Sequence, residues 1–246
     1  MPDAIVLCGG AGLRLRSITG NLPKVMANVA GRPFLELLLR QVQRHGFERV
    51  ILAVGYQWDV IHAYFGEQTA GLNLAYSVEP APLGTGGALR NAADLLESDS
   101  VLVLNGDSYT DVDLGGFVAD YHESNADVSL VVVPTDGRGD CGMVHVDRRG
   151  RIEKFEEKQS QAGSPYASAG IYMVSRALLS DTAAGCPISL EQDLFPCWLE
   201  RGSYLRAYVF WGRCVDIGTP ERYRDAQQSL ANVESGKCMT QPGACL

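Results

Sequence analysis

Residues 4–15 read AIVLCGGAGLRL, and this stretch decides the fold that we expect. The apolar run at residues 4–8 has the length and composition of a fully buried strand. The glycines that follow let main-chain N–H groups approach an anion, because no Cβ stands in the way. A buried strand that turns into a glycine-rich loop predicts an α/β sheet with a ligand at the carboxyl ends of its strands.

Two cations accompany this loop. Arg14 lies within it, and Lys24 follows ten residues later, directly after Pro23. The spacing matches neither G-x-G-x-x-G nor G-x-x-x-x-G-K-[ST], which argues against a dinucleotide fingerprint and a Walker loop and leaves a plain strand-to-helix turn as the alternative. Glycine backbone, Arg14 and Lys24 together predict a triphosphate site.

Composition limits the classes of protein that fit. The 246 residues are 46% hydrophobic and 20% charged, which suits one large domain, expected over residues 1–230, with a poorly ordered polar tail at 231–246. The net charge of −8 argues against nucleic acid and anionic membranes as partners. Bound phosphates would therefore need local positive charge and a metal ion.

The start of the chain and its cysteines favour a cytoplasmic protein. The sequence has no basic leader followed by an apolar segment and no uncharged stretch of membrane-spanning length. Its seven cysteines are an odd number without a C-x-x-C pair, so we expect buried or incidental thiols. The oligomeric state stays open, and a homo-oligomer is compatible with the sequence.

Short apolar runs alternate with amphipathic segments in the first half of the chain. This rhythm predicts an α/β, Rossmann-like three-layer sandwich with a mainly parallel mixed sheet. The expected strands are residues 4–8, 50–54, 74–78, 101–104 and 128–133, then 143–146, 151–155, 167–174 and 205–210; the expected helices are about 33–45, 57–65, 84–96, 113–123 and 220–230.

Two carboxylates are candidate metal ligands. Asp107 follows a buried strand in the run Asn105-Gly106-Asp107, and Asp216 stands between two apolar residues just before a Gly-Thr-Pro helix start. Carboxylates beside a phosphate loop suit a hard divalent cation. The alternative for each is a turn-forming acid.

Three further charged positions are less specific by themselves. Glu157 and Lys158 end a strand-like segment, where charges usually face solvent. Glu191 lies in the expected first turn of a helix, where acids are favoured by the helix dipole.

The motifs are more specific in combination than singly. In chain order they are LCGGAGLRL at 7–15, PK at 23–24, GRP at 31–33, LGTGGA at 83–88, NGD at 105–107, EK at 157–158, SAGIY at 168–172 and DIGTP at 216–220. With these motifs the chain resembles, over residues 4 to about 230, the sugar-1-phosphate nucleotidyltransferases, and in detail the bacterial D-glycero-D-manno-heptose 1-phosphate guanylyltransferases of surface-polysaccharide synthesis (capsule and lipopolysaccharide). Leu13 departs from the threonine that many members of this family carry.

The resemblance implies a reaction and a role for each motif. An oxygen of a sugar 1-phosphate would attack the α-phosphorus of a nucleoside triphosphate, and pyrophosphate would leave. The implied catalytic residues are Arg14, Lys24 and Asp107, with Mg²⁺ on Asp107 and Asp216. The implied nucleotide-binding residues are Leu7, Gly9, Gly10, Ala11, Gly12, Glu79, Gly84 and Thr85, and the implied sugar-phosphate-binding residues are Asn105, Glu157, Lys158, Gly170 and Glu191.

Glu79 bears on the choice of base. Related thymidylyltransferases carry a glutamine at the matching place, whereas a carboxylate can only accept hydrogen bonds at neutral pH. Guanine offers two adjacent donors, N1–H and the N2 amino group, so GTP is the expected nucleotide. The alternative is a Glu79 side chain that points to solvent.

Other functions stay open at this point. Uridylyl, thymidylyl and mannose-1-phosphate guanylyl transfer use the same scaffold, and a non-catalytic regulatory homologue would bind sugar nucleotides without turnover. A nicotinamide-dependent dehydrogenase is disfavoured because the G-x-G-x-x-G fingerprint is absent. Release of pyrophosphate would separate the enzyme from both non-transferase alternatives.

Overall fold

The structure is a computed structural model that describes residues 1–135, 142–157, 165–212 and 214–231. Lys158 and the tail residues 232–246 lie outside these described residues, so the predictions made for them stay predictions. Glu157 ends a strand, and its side chain is likewise outside the description.

The strands of the described chain agree closely with those expected from the apolar runs. Short pairs that the sequence did not predict are added to them. The strands are β1 Asp3–Leu7, β2 Asn28–Val29, β3 Arg32–Pro33, β4 Arg49–Val54, β5 Gln68–Thr69, β6 Leu72–Val78, β7 Ser100–Asn105, β8 Ser108–Thr110, β9 Val128–Pro134, β10 Gly142–Val146, β11 Ile152–Glu157, β12 Tyr166–Ser175, β13 Leu205–Val209 and β14 Cys214–Asp216.

The five expected helices are present, and three short helices at Arg16–Thr19, Arg176–Ser180 and Phe195–Glu200 lie outside the predicted ranges. One differs in length: the segment expected to be helical over 84–96 ends its α-helix at Ala92 and continues as a 3₁₀ turn, Ala93–Leu95. The helices are α1 Arg16–Thr19, α2 Phe34–Arg44, α3 Trp58–Phe65, α4 Gly84–Ala92, α5 Leu114–Ser124, α6 Arg176–Ser180, α7 Phe195–Glu200 and α8 Pro220–Leu230, with 3₁₀ turns at Leu13–Leu15 and Lys24–Met26 and a π-helical turn at Leu190–Leu194.

Ten strands of the described chain form one mixed sheet. Its centre is parallel, since β1 pairs with β4 and β7, and β4 pairs with β6. The antiparallel strand β12 joins β7 to β9 and β10, and its register with β9 shifts between Ser168 and Tyr172. This confirms the predicted mainly parallel mixed sheet.

Helices cover both faces of the sheet, which confirms the three layers. Alternate side chains of β1 point to opposite faces, as strand geometry requires. Val6 belongs to the core cluster that contains residues of α2, α3, α5 and α8, whereas Ile5 belongs to the one that contains residues of α4, α6 and α7. Both faces of the central strands are therefore buried, which explains their continuous apolar runs.

The described residues bear on two expectations, one about membrane-spanning segments and one about the cysteines. None of their helices combines the length and the apolar character needed to cross a bilayer. Cys8, Cys186, Cys197 and Cys214 form no disulfide within the described residues.

Candidate active site

A cavity of about 640 Å³ opens at the carboxyl ends of the central strands. The loops after β1, β6 and β7 and the start of α4 form its walls. This is the place that an open α/β sheet offers to a ligand. The lining residues are Leu7, Cys8, Gly9, Gly10, Gly12, Leu13, Arg14, Lys24, Val25, Glu79, Pro82, Gly84, Thr85, Ala88, Asn105, Gly106, Asp107 and Gly218.

The glycine loop lies against Lys24. Gly12 has φ +59°, and a Cβ there would stand 2.6 Å from Lys24 Cβ. Gly10, in contrast, has open space where a Cβ would be. A side chain at position 12 would therefore strain the backbone and displace Lys24, so the lysine and the loop are fitted to each other.

Arg14 and Lys24 differ in their present partners. Arg14 is exposed at the cavity wall, and it has no hydrogen bond or ion pair within the part of the chain that the structure describes. Lys24 Nζ donates to Asp107 Oδ2 at 2.5 Å, and its side chain is only 12% exposed. One cation is thus presented to the cavity, while the other neutralises the carboxylate at the end of β7.

Asp216 lies close to the first pair. Its Oδ1 accepts from the backbone N–H of Gly218 at 2.8 Å, and its Oδ2 pairs with Arg222 at 3.0 Å. A Cβ on Gly218 would be 2.8 Å from Asp216 Oδ1 and 3.8 Å from Lys24 Nζ. A side chain at position 218 would therefore clash with the second carboxylate and lie next to the lysine.

The backbone brings the two acidic residues to neighbouring places. β8 and β14 form a separate two-stranded antiparallel ribbon in which Ser108 opposes Asp216, and Ile217 N–H donates to the Asp107 carbonyl at 3.0 Å. Asp107 and Asp216 consequently leave the same end of one ribbon.

The sequence analysis did not single out Arg222. It lies in the first turn of α8, where a cation is disfavoured by the helix dipole, and this anomaly could have indicated an acidic partner nearby. The partner, Asp216, lies six positions earlier in the chain.

The donor set fits Mg²⁺ when phosphate oxygens contribute. Asp107 and Asp216 carry the hard oxygen atoms that this ion prefers, and Asp216 lies opposite Ser108, the residue that follows Asp107. Within the described ranges no group of three or more His, Cys, Asp or Glu side chains is arranged to hold a metal. The protein would therefore supply two carboxylates, and a bound triphosphate would complete the coordination.

Glu79 is half-buried and lines the cavity, so it does not simply point to solvent. Its Oε2 accepts from the Leu83 N–H at 2.9 Å, and its Oε1 contacts the position of a Cβ on Gly9. Burial raises the pKa of Glu79, against the opposing effect of the Leu83 hydrogen bond. The carboxylate is thus oriented beside the glycine loop.

The start of α4 is held by the chain that precedes the π-helical turn. The N–H groups of Gly86 and Gly87 donate to the Ile188 carbonyl at 2.9 and 3.1 Å. Gly84 has φ +69°, and a Cβ there would lie 2.6 Å from the same oxygen. The Thr85 hydroxyl donates to Glu191 Oε2 at 2.8 Å. Gly84 and Thr85 therefore line the cavity while being anchored from behind.

The sugar-side candidates meet beneath this wall. Glu191 accepts from Thr85, from Ser189 Oγ at 3.3 Å and from the buried hydroxyl of Tyr172 at 3.3 Å. Burial raises the pKa of Tyr172 well above its usual range. Gly170 has φ +73°, and a Cβ there would stand 2.8 Å from Asn105 Nδ2. Tyr172 was not among the predicted site residues, because its sequence context reads as an ordinary buried strand.

Most of the predicted site residues gather at the cavity, and four lie behind or beside its lining. Arg14, Lys24, Asp107, Glu79 and Asn105 reach the wall together with the other glycine-loop and α4 positions. These four positions are Ala11, Gly170, Glu191 and Asp216, while the side chains of Glu157 and Lys158 are outside the part of the chain that the structure describes.

Comparison with known proteins supports the resemblance read from the motifs. A D-glycero-alpha-D-manno-heptose 1-phosphate guanylyltransferase of Campylobacter jejuni is 34% identical over 90% of this chain and 96% of the relative. A mannose-1-phosphate guanylyltransferase of Mycobacterium tuberculosis is 38% identical over 90% of this chain, and the matched region covers 62% of the length of that relative. The crystal structure of HddC from Yersinia pseudotuberculosis complexed with GMP-PN superposes with a TM-score of 0.82 at 29% identity, over 94% of this chain and 100% of HddC.

The family itself follows from a match that spans nearly the whole described chain. The family model described as nucleotidyl transferase covers residues 3–233, which include every element that forms the cavity. The chain therefore belongs to the nucleotidyl transferase family.

Proposed function

We propose that this chain transfers GMP from GTP to D-glycero-α-D-manno-heptose 1-phosphate, releasing pyrophosphate and forming a GDP-sugar. The observation that carries the proposal is one cavity wall that combines a glycine loop, Arg14, Lys24 and Asp107 with the carboxylate of Glu79. The glycine loop, Arg14 and Lys24 suit a triphosphate, Asp107 suits the metal ion that would accompany it, and Glu79 suits a base that presents hydrogen-bond donors.

The phosphate side acts by position and charge. The backbone of residues 9–12 and Arg14 would hold the departing pyrophosphate, and Lys24 would bridge the reacting phosphates. Asp107 and Asp216 would hold Mg²⁺, and that ion would neutralise the charge that develops on phosphate oxygens. Transfer of this kind needs no covalent enzyme intermediate, because the rate gain comes from alignment and electrostatic stabilisation.

Glu79 supports guanine as the base. An ionised carboxylate can accept N1–H and the N2 amino group together, whereas uracil, thymine and adenine would oppose it with at least one acceptor. The Leu83 N–H orients Glu79 Oε2 and leaves that oxygen a second lone pair.

The acceptor side is assigned with support from the relatives. Lys158 would bind the phosphate of the acceptor, and Glu157, Asn105 and Gly170 would contact its sugar. The heptose enzyme of Campylobacter jejuni matches this chain over 96% of its own length, which favours heptose 1-phosphate. Mannose 1-phosphate is the second candidate, because the mycobacterial enzyme shares the higher identity of 38%. The product would feed surface-polysaccharide synthesis, such as capsule or lipopolysaccharide, in the cytoplasm.

A pyrophosphate-release matrix tests the proposal. Purified protein is mixed with Mg²⁺ and each of GTP, ATP, UTP and dTTP, against heptose, mannose and glucose 1-phosphates. We expect the highest kcat/KM for GTP with the heptose substrate. The control is Asp107→Asn, which keeps the size of the side chain and removes its charge.

The outcomes separate the candidates. A preference for mannose 1-phosphate with GTP would select the second candidate, and a preference for UTP or dTTP would overturn the assignment of Glu79 to guanine. Binding of nucleotide without pyrophosphate release from any pair would leave the non-catalytic regulatory homologue.

A further inference from the structure

The two acids assigned to the divalent cation each have a cationic side chain as partner. Lys24 Nζ donates to Asp107 Oδ2 at 2.5 Å, and Arg222 Nη1 donates to Asp216 Oδ2 at 3.0 Å. The side chains of Arg222 and Asp216 are 23% and 25% exposed, so water reaches this pair only in part. An ion pair in such a place is held more firmly than one on the open surface.

The other two carboxylate oxygens accept from neutral donors. Ser108 Oγ donates to Asp107 Oδ1 at 3.2 Å, and the Gly218 N–H donates to Asp216 Oδ1 at 2.8 Å. A carboxylate oxygen has two lone pairs, so a neutral donor and a metal ion can share it. A side-chain cation and a divalent metal ion on the same oxygen repel each other. The two cationic partners are therefore the ones that oppose a metal ion.

Arg222 differs from Lys24 in its place relative to the cavity. Lys24 lines the cavity, where the proposed reaction gives it a role on the phosphates, whereas Arg222 lies on α8 and is not among the lining residues. A Cβ on Gly218, which does line the cavity, would be 3.8 Å from Arg222 Nη1 and 3.8 Å from Lys24 Nζ. Arg222 thus reaches the proposed metal site from behind the wall.

We propose that Arg222 is a positioning residue that holds Asp216 in the metal-free protein and competes with the divalent cation for its Oδ2 atom. The cation would then have to displace the guanidinium before both acids can hold it. This inference deepens the proposed function and rests on it, because that function assigns Asp107 and Asp216 to the metal.

The competition has a consequence for the order of binding. Each acid already has a cationic partner, so a divalent cation that arrives alone has to break the Arg222 pair and binds weakly. A triphosphate adds negative charge that stabilises both the metal ion and a displaced guanidinium. Binding of the metal is therefore coupled to binding of the nucleotide.

Binding of Mn²⁺ to the full chain without nucleotide tests the competition. Mn²⁺ takes the same oxygen ligands as Mg²⁺, and the free ion is measured by electron paramagnetic resonance. Arg222→Gln should bind Mn²⁺ about tenfold more tightly than the wild type, because a positive charge 3.0 Å from Asp216 Oδ2 is removed. Arg222→Lys keeps that charge and should stay within about threefold of the wild type.

Two controls show whether the effect passes through Asp216. Arg224 is exposed on the same helix and acts on Glu221, so Arg224→Gln removes an equal charge elsewhere and should leave the Mn²⁺ affinity within about twofold. In an Asp216→Asn background, Arg222→Gln should no longer tighten Mn²⁺ binding. Equal or weaker binding by Arg222→Gln alone, or the same gain in Arg224→Gln, would overturn the proposal.

Thermal unfolding distinguishes competition from a purely structural role. Without metal, Arg222→Gln should melt below the wild type, since Asp216 loses this partner. Saturating Mn²⁺ should remove or reverse that difference, because a ligand stabilises the folded state more when it binds more tightly. The same deficit with and without Mn²⁺ would mean that Arg222 only stabilises the fold, and the competition would be refuted.

A measurement on the wild type decides the matter if Arg222→Gln does not fold. Rotation of the Arg222 guanidinium group, followed by ¹⁵N NMR, should be slow in the metal-free protein and faster with saturating Mg²⁺. A protein that shows this change but releases no pyrophosphate would refute the proposed reaction and keep the competition. An active protein in which the rotation stays unchanged would refute the competition alone.

Discussion

Two regions of the cavity are built in opposite ways. One is the proposed phosphate wall, formed by the Gly9–Gly12 loop, Arg14 and Lys24, and the other is the proposed acceptor-side network of Thr85, Tyr172 and Glu191. Arg14 is exposed with no ion pair among the described residues, and the Gly9–Gly12 backbone leaves open space at Gly10. Thr85, Tyr172 and Glu191, in contrast, satisfy one another through hydrogen bonds behind the wall. One region presents charge to a ligand, and the other fixes geometry before the ligand arrives.

The difference follows from what each substrate part needs. A triphosphate carries several charges and binds well to any suitable arrangement of N–H groups and cations. A sugar is distinguished by the directions of its hydroxyl groups, so its site has to be rigid and directional. Mutations in the two regions should therefore have different kinetic signatures.

The largest effect is expected for Asp107→Ala, which should lower kcat by at least about 10³-fold, on the upper scale known for loss of one electrostatic stabiliser. The free energy of unfolding should fall by about 1–3 kcal/mol, because Asp107 is 38% exposed but Lys24, whose side chain is 12% exposed, would lose its partner. Pyrophosphate release and thermal unfolding measure the two quantities. Activity within tenfold of the wild type would remove Asp107 from the proposed metal site.

Arg14→Ala should lower kcat/KM for GTP by about 10²-fold, since a charged hydrogen-bond donor to phosphate is lost. The melting temperature should not change, because Arg14 contacts no partner among the described residues. Arg16→Ala is a matched control, since Arg16 is also exposed and lies in the same segment. Equal losses in the two variants would indicate a general effect of charge rather than a specific contact.

Glu79→Gln should weaken the use of GTP by about 1–3 kcal/mol, the scale of a bidentate contact to a base. Burial raises the pKa of Glu79, so lowering the pH protonates this carboxylate earlier than an ordinary glutamate and should reduce GTP affinity. Glu79→Gln should lack that step. Affinity for GTP measured against pH in both proteins checks this, and identical profiles would exclude Glu79 as the guanine acceptor.

The raised pKa of Glu79 also determines how the stability of the protein changes with pH. The native state holds the Glu79 proton more tightly than the unfolded state, so the stabilisation from this group is present at low pH and is lost as pH rises through the native pKa. Glu79→Gln should remove this contribution to the pH dependence of unfolding.

The smallest effect distinguishes two glycines of one loop. Gly12→Ala should cost about 1–2 kcal/mol of stability, because alanine is strained at φ +59° and its Cβ would stand 2.6 Å from Lys24 Cβ. Gly10→Ala should leave the free energy of unfolding nearly unchanged, since nothing lies within 4 Å of its Cβ position. Chemical denaturation measures both, and equal costs would mean that Lys24 and the loop are not fitted to each other.

Sequence reasoning reached the phosphate wall more completely than the acceptor side. The residues 4–15 are contiguous, so a strand, its glycine loop and Arg14 carry their signal within one window. Thr85 and Glu191 are 106 residues apart, and their contact exists only because the turn at Leu190–Leu194 packs on α4. A local pattern contains no information on such a contact.

The same reasoning explains the elements that were missed. β2, β3 and β5 have two residues each and β8 and β14 have three, which is too short for a period-two pattern to be recognised. The bulge between Ser168 and Tyr172 shifts the register of β12 and turns Gly170 towards Asn105. The pentapeptide at residues 168–172 could be recognised as a motif from the family resemblance, but its bend could not.

The β8–β14 ribbon has a mechanical consequence. Asp216 ends β14, Asp107 directly precedes β8, and the ribbon that these two strands form is hydrogen-bonded as its own sheet, apart from the ten-stranded one. If the ribbon tilts, the two carboxylates travel together, and the gap between them is preserved while their distance to the rest of the cavity changes. The relative placement of the two acids thus depends on one short backbone ladder. Substitutions in the surrounding walls can alter which sugar is accepted without changing that placement.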